Sequence, residues 1–147
     1  MDFLSFKTNS KNKINYNKKW VIIDANNQYL GRLASKISLI IRGKHKSYFS
    51  PNIDCGDYVI VINSTKIKLS GKKWMQKKYI YYTGYPGGQK IISIKDLFKK
   101  NPNKLLYKSV KGMLPKNRLS QKIIKNLHIY QKEKHNHKAQ KPFLIKN

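Results

Sequence analysis

The sequence predicts a single α/β domain, with a mixed central sheet flanked by helices and with extended basic termini. Three observations predict it. The apolar run Trp20–Ile23 is followed by apolar residues at helical spacing, and then by the five strand formers Tyr58–Ile62. Further strand candidates and then two apolar helices continue this alternation. The length, 147 residues, suits one domain. A chain of that size buries about 68–70% of its unfolded surface, and an apolar content of 39% supports such a core.

The predicted organisation is an N-terminal arm over residues 1–17, a folded domain over 18–130 and a basic tail over 131–147. The arm is polar and rich in Asn and Lys. Trp20–Ile23 reads as a buried strand and Asp24–Asn27 as a turn. Leu30, Leu33, Ala34, Ile37 and Ile41 form one stripe of a helix over 29–42, which Gly43 is placed to end. Arg32 and Lys36 lie one turn apart on its polar side, which is either a solvated face or a partner-facing one. Residues 42–57, punctuated by Gly and Pro, read as loop. Tyr58–Ile62 is the candidate for a central strand buried on both faces.

Ile67 and Leu69 alternate with lysines and suggest a half-exposed strand. Tyr79–Tyr82 reads as a strand or extended arm, and Thr83–Gly88 as a Gly/Pro turn. Ser93 and Asp96 have capping-box spacing and open a short helix through Lys100. Asn101-Pro102 is an N-cap followed by proline at the first helical position. The helix they open has Leu106, Val110 and Met113 on its inner face and Lys104, Lys108 and Lys111 on another. Pro115 breaks it. A third helix carries Leu119, Ile123, Ile124 and Leu127 inward and Lys122 and Lys125 outward. His128–Tyr130 reads as a last short strand.

Charge identifies the partner class. Lys and Arg total 32 against 6 Asp and Glu, for a net charge of +26. Ten basic residues and no acidic one lie between Leu97 and Lys132, and eight more between Tyr58 and Lys95. A compact domain so charged repels itself and calls for a polyanion. Nucleic acid is the usual one, because each neutralised phosphate releases condensed counterions. Such charge also leaves the termini to order on the partner. Lys outnumbers Arg 29 to 3, which fits AT-rich codon usage in a bacterial or organellar genome.

Other classes have little support. The single Cys55 allows no intramolecular disulfide and fits a reducing compartment. The N-terminus has no apolar segment of the secretory type. No run of about 18 apolar residues is present, and the charge is not gathered on one amphipathic helix. Gly84-Tyr-Pro-Gly-Gly88 lacks the Gly-Lys-Ser/Thr ending of a nucleotide-binding loop and reads as a tight turn on RNA backbone. Asp24, Asp54 and Asp57 sit at strand ends, as nuclease carboxylates do, but loop capping is the simpler reading. His135 and His137 have no second ligand pair for a metal and read as RNA contacts. No cofactor, metal or catalytic residue is expected.

The candidate RNA-contacting residues are therefore the following. The first helix and its loop supply Arg32, Lys36, Arg42, Lys44, His45 and Lys46. The tyrosine-rich segment supplies Lys72, Lys73, Lys77, Lys78, Tyr82, Gly87, Gly88 and Lys90. The later helices supply Lys108, Lys111, Lys116, Arg118, Lys122 and Lys125, and the tail His135 and His137. Tyr79, Tyr81, Tyr82 and Tyr85 mix with Lys77, Lys78 and Lys90 as stacking and basic groups do on RNA-binding surfaces, although about half of such tyrosines are expected to pack on the core.

Four motifs, in order across about residues 18–130, resemble the family of bacterial large-subunit ribosomal protein thirteen. They are Trp20–Asp24 with Leu30-Gly-Arg-Leu-Ala34, then Arg42-Gly-Lys44 through Asp54-Cys-Gly-Asp57, then Tyr82–Gly88, and then Val110–Asn117 with Leu127–Tyr130. Ser120 stands where that family often has Gly. The resemblance implies a compact α/β body, binding to large-subunit rRNA, a part in early subunit assembly and neighbouring ribosomal proteins as partners. It implies no catalysis, no small-molecule substrate and no membrane. Its place would be the ribosome, in bacterial cytoplasm or in an organellar matrix or stroma. A free regulatory RNA-binding protein and, more remotely, a metal-dependent nuclease are the alternatives.

Overall fold

In the computed structural model residues 17–145 are described, so the predicted arm lies, but for Asn17, outside the described residues. Strand β1 (Trp20–Asp24) leads into helix α1 (Leu30–Arg42) and then β2 (Tyr58–Ile62). The β2 residues Val59, Ile60 and Val61 are fully buried, as a strand covered on both faces requires. It pairs in parallel with β1, Trp20 opposite Tyr58, and with β5 (Leu127–Ile129). On the far side of β1 lies β6 (Phe143–Leu144), also parallel, giving the order β5-β2-β1-β6. Antiparallel pairing is confined to a separate ribbon of β3 (Lys78–Tyr82) and β4 (Gln89–Ser93). The two pairings together make the mixed α/β architecture.

A short helix α2 (Lys73–Gln76) precedes the ribbon, and α3 (Ile94–Lys100), α4 (Pro102–Met113) and α5 (Arg118–Ile123) follow it. The predicted caps are present. Ser93 Oγ accepts the Asp96 amide, and Asn101 Oδ1 accepts the Lys104 amide. A further cap, not expected from the sequence, is Asn117, whose Oδ1 accepts the Ser120 amide at 2.8 Å. Helix α1 packs on β2 and α4, burying Leu33, Ile37 and Ile41 against Leu105, Leu106 and Val110 in one continuous core. Trp74 meets Phe98 edge-on at 5.0 Å and fastens α2 to α3.

The loop after α1 depends on two glycines. Gly43 has φ 80° and ends α1 in the left-handed conformation that glycine adopts without strain. At Gly56 a Cβ would lie 1.5 Å from the Ile41 carbonyl oxygen, so only glycine lets the loop cross the helix end. Beyond it the buried Asp57 carboxylate accepts the Lys19 amide at 2.9 Å and pairs with Lys46 Nζ at 2.5 Å and His45 Nε2 at 3.0 Å.

Four local expectations change. Ile67 and Leu69 form no strand. A 3-10 turn over Ser64–Lys66 leads to one isolated bridge between Tyr29 and Lys68, although Ile67 does point inward. Met113 is exposed at the end of α4; the inner face is Leu105, Leu106 and Val110, and the following Leu114 is the buried residue at that end. The last predicted helix, α5, stops at Ile123. A 3-10 turn over Ile124–Asn126 then tightens the chain so that Leu127 enters β5. The tail returns to the sheet as β6, held by backbone pairing, with the Ile145 amide donating to the Ile22 carbonyl at 3.0 Å.

Candidate nucleic-acid interface

The carboxylates of the four described aspartates have partners inside the fold. Asp24 accepts the Asn26 amide and Asn63 Nδ2, Asp54 pairs with Lys18, Asp57 with Lys46 and His45, and Asp96 accepts Ser93 Oγ. They cap loops and neutralise two lysines. Among the described residues no group of three or more His, Cys, Asp or Glu side chains could hold a metal ion. The remaining cations are left to face outward, and packing gathers several of them into clefts.

A cleft of about 740 Å³ opens between the start of α1 and the end of α4 and is floored by the α2–β3 segment. Arg32, Lys73, Lys77 and Lys108 line it, with Tyr29 and Tyr79 and no carboxylate. The rings position the cations. Lys108 Nζ lies 4.0 Å and Lys77 Nζ 5.7 Å from the Tyr79 ring centre, and the Arg32 guanidinium lies 5.6 Å from that of Tyr29. Cations held over aromatic faces lose less freedom when they meet a phosphate. Tyr29 carries no sequence motif of its own; the only signal for it is an aromatic residue at the start of a helix whose next turn bears a cation.

A second cleft of about 550 Å³ is lined by Lys111, Lys116 and Arg118, with Tyr107. Arg118 also borders a third, with Lys122 and the Lys18–Asp54 pair. The lysine row of α4 is thus divided: Lys108 faces the first cleft, Lys111 the second, and Lys104 lies outside both. Of the three arginines, Arg32 and Arg42 lie over the chain's own Tyr29 and Phe49 rings, whereas Arg118 is exposed at the first turn of α5. A fork available for bidentate contact cannot be replaced by a point charge without loss. Arg118→Lys is expected to cost about 1 kcal/mol or more of affinity for a structured RNA at fixed salt, and Lys125→Arg almost nothing. Filter binding of the two variants checks this, and equal negligible effects would reduce Arg118 to one more positive charge.

The other candidates are dispersed. Lys72, Lys78 and Lys90 are exposed on and around the ribbon, with Tyr82 beside its turn. There the Thr83 amide donates to the Gly88 carbonyl at 3.0 Å, while Gly87 has φ 69°. Of the four tyrosines only Tyr79 packs on the core; Tyr81, Tyr82 and Tyr85 are exposed. Lys44 and Lys125 are exposed, and Lys36 is half-buried on α1. Lys46 belongs to the fold, since its side chain is 9% exposed and bound to Asp57; His45 shares that carboxylate.

His137 is likewise absorbed by packing. It lies 4.8 Å from Trp20 and 4.6 Å from His128, ring centre to ring centre, and Trp20 stacks on Tyr58 at 4.4 Å. Burial, and then the neighbouring His137, push the His128 imidazole below its ordinary pKa. His135 Nδ1 accepts the His137 amide. These rings dock the tail on the sheet, which sequence spacing did not indicate.

The fold and these clefts define a small basic α/β protein whose surface clefts are lined by cations and aromatic rings. Residues 18–136 match the family described as Ribosomal protein L13. A large ribosomal subunit protein uL13 from Dictyoglomus thermophilum is 48% identical over 136 residues, covering 92% of this chain and 96% of the relative. Its counterpart in Caldanaerobacter subterraneus is 53% identical over 125 residues, covering 85% and 87%. That in Syntrophobacter fumaroxidans is 52% identical over 128 residues, covering 87% and 90%. The chain belongs to the Ribosomal protein L13 family.

Proposed function

We propose that this chain is a structural constituent of the large ribosomal subunit that binds large-subunit rRNA, supports early subunit assembly and contacts neighbouring ribosomal proteins. The observation that carries the reading is the division of charge within the fold. The four described aspartates are consumed internally, while cations from α1, α2, α4 and α5 line clefts without a buried catalytic group. Lysines of this kind anchor phosphates without reading bases, and the clefts and loops recognise the shape of the RNA. The protein works by holding RNA and is not an enzyme.

Sedimentation tests the reading. The tagged chain is expressed in a bacterium and ribosomes are separated on a gradient. The chain is expected to travel with large subunits and to stay with them through a high-salt wash. Recovery only at the top of the gradient, bound to free RNA, would point to a regulatory RNA-binding protein outside the ribosome.

A further inference from the structure

Two glycines at the cleft between α1 and α4 have no explanation within the fold. Gly31 lies in the first turn of α1 and Gly112 in the last turn of α4, and both line the same cleft. A Cβ added at either meets no atom within 4 Å. Every other glycine has a reason within the fold: a Cβ at Gly56 or Gly88 would collide with the chain itself, and Gly43, Gly71, Gly84 and Gly87 have positive φ. Neither Gly31 nor Gly112 has a positive φ, so conformation does not demand them. Glycine is the poorest helix former after proline, so both helices give up stability for space that no atom of the chain fills.

The surroundings indicate what that space admits. Arg32, Lys73, Lys77 and Lys108 converge on it, three of them held over Tyr29 or Tyr79. Helix α1 starts there with no side-chain cap and no acidic residue in its first turn; the Leu30 amide is taken by the Lys68 carbonyl at 2.9 Å, but no carboxylate offsets the positive end of the dipole. A strand can approach bare helix backbone at glycine more closely than at any other residue.

We propose that this cleft seats the sugar-phosphate backbone of one RNA strand, which crosses the helices at Gly31 and Gly112 and is gripped by Arg32, Lys73, Lys77 and Lys108. The inference rests on the rRNA-binding reading and adds to it the place and the mode of contact: the two missing side chains are as much a part of the site as the four cations.

Gly31→Ala, Gly112→Ala and the double variant separate the two roles of these positions. Each is compared with the unaltered chain and with Ser35→Ala, an exposed change on α1 outside the cleft. Thermal melting is measured alone, and filter binding is measured with transcribed bacterial large-subunit rRNA at one salt concentration. The glycine variants are expected to melt at the same temperature or higher, while the double variant loses about tenfold or more in affinity, as the loss of a charge-assisted contact does. Ser35→Ala should bind as the unaltered chain does. Lower melting temperatures would show that the fold itself needs the glycines and would overturn the proposal. Unchanged affinity in the double variant would overturn it while leaving the rRNA-binding reading intact. Failure of the unaltered chain to bind the rRNA would overturn both.

Discussion

Val110→Asp is expected to leave little or no folded protein. Val110 is fully buried on α4, in the core where that helix meets α1. A carboxylate there has no cation or hydrogen-bond donor to offset its lost hydration. Burial of an unpaired charge belongs to the few mechanisms that cost about 4–5 kcal/mol or more, a large part of the roughly 5–15 kcal/mol that holds a domain together. Two positions earlier, Lys108→Ala should behave in the opposite way. Lys108 is exposed and loses mainly its contact with the Tyr79 ring, worth about 0.5–1 kcal/mol at such a site. Its folding should survive and its rRNA affinity should fall. Thermal melts of the two variants, with binding measured per folded molecule, check the assignment of faces. A Lys108→Ala variant that melts early but binds normally would reverse it.

The second large effect is on binding. Eight cations, Arg32, Lys73, Lys77, Lys108, Lys111, Lys116, Arg118 and Lys122, are gathered in three clefts. If they neutralise about eight phosphates, affinity for rRNA should fall about 10³–10⁵-fold between 50 and 200 mM salt, because the released counterions must be taken back at higher concentration. The slope reports the number of phosphates held, and removing one cleft lysine should make it shallower by about one phosphate's share. A nearly flat titration would mean that shape or apolar contact, and not charge, carries the binding.

Much of the fold was legible in the sequence because local and tertiary preferences agree. Trp20–Ile23, the apolar stripe of α1 and Tyr58–Ile62 each suit the environment they occupy, and the side chains of Ser93 and Asn101 cap the helices they precede. The strand expected at Ile67 and Leu69 failed where a tertiary constraint prevailed: the Lys68 amide donates to the Gln28 carbonyl and the Leu30 amide to the Lys68 carbonyl, so one bridge forms beside β1–α1 instead of a ladder. Strand β6 left no pattern, since Phe143 and Leu144 are exposed and backbone pairing holds them.

The chemistry of the candidate site was legible; its geometry was not. Net charge indicated a polyanion, and the basic residues named from the sequence include eight of the nine cations that line the three clefts; Lys18, paired with Asp54, was not among them. No spacing shows that Arg32 and Lys108 face one cleft, because only the packing of α1 on α4 brings them together. Nor does spacing show that Lys46 is consumed by Asp57, a pair that forms only once the loop folds back over α1.

The most direct measurement is lysine acetylation, read residue by residue, on the free chain and on the same chain in the large subunit. The account expects Lys73, Lys77, Lys108, Lys111, Lys116 and Lys122 to react readily when free and to be protected in the subunit, while Lys46, paired with a buried carboxylate, reacts poorly in both. Cleft lysines that react equally in the two states would contradict the claim that these clefts hold the RNA.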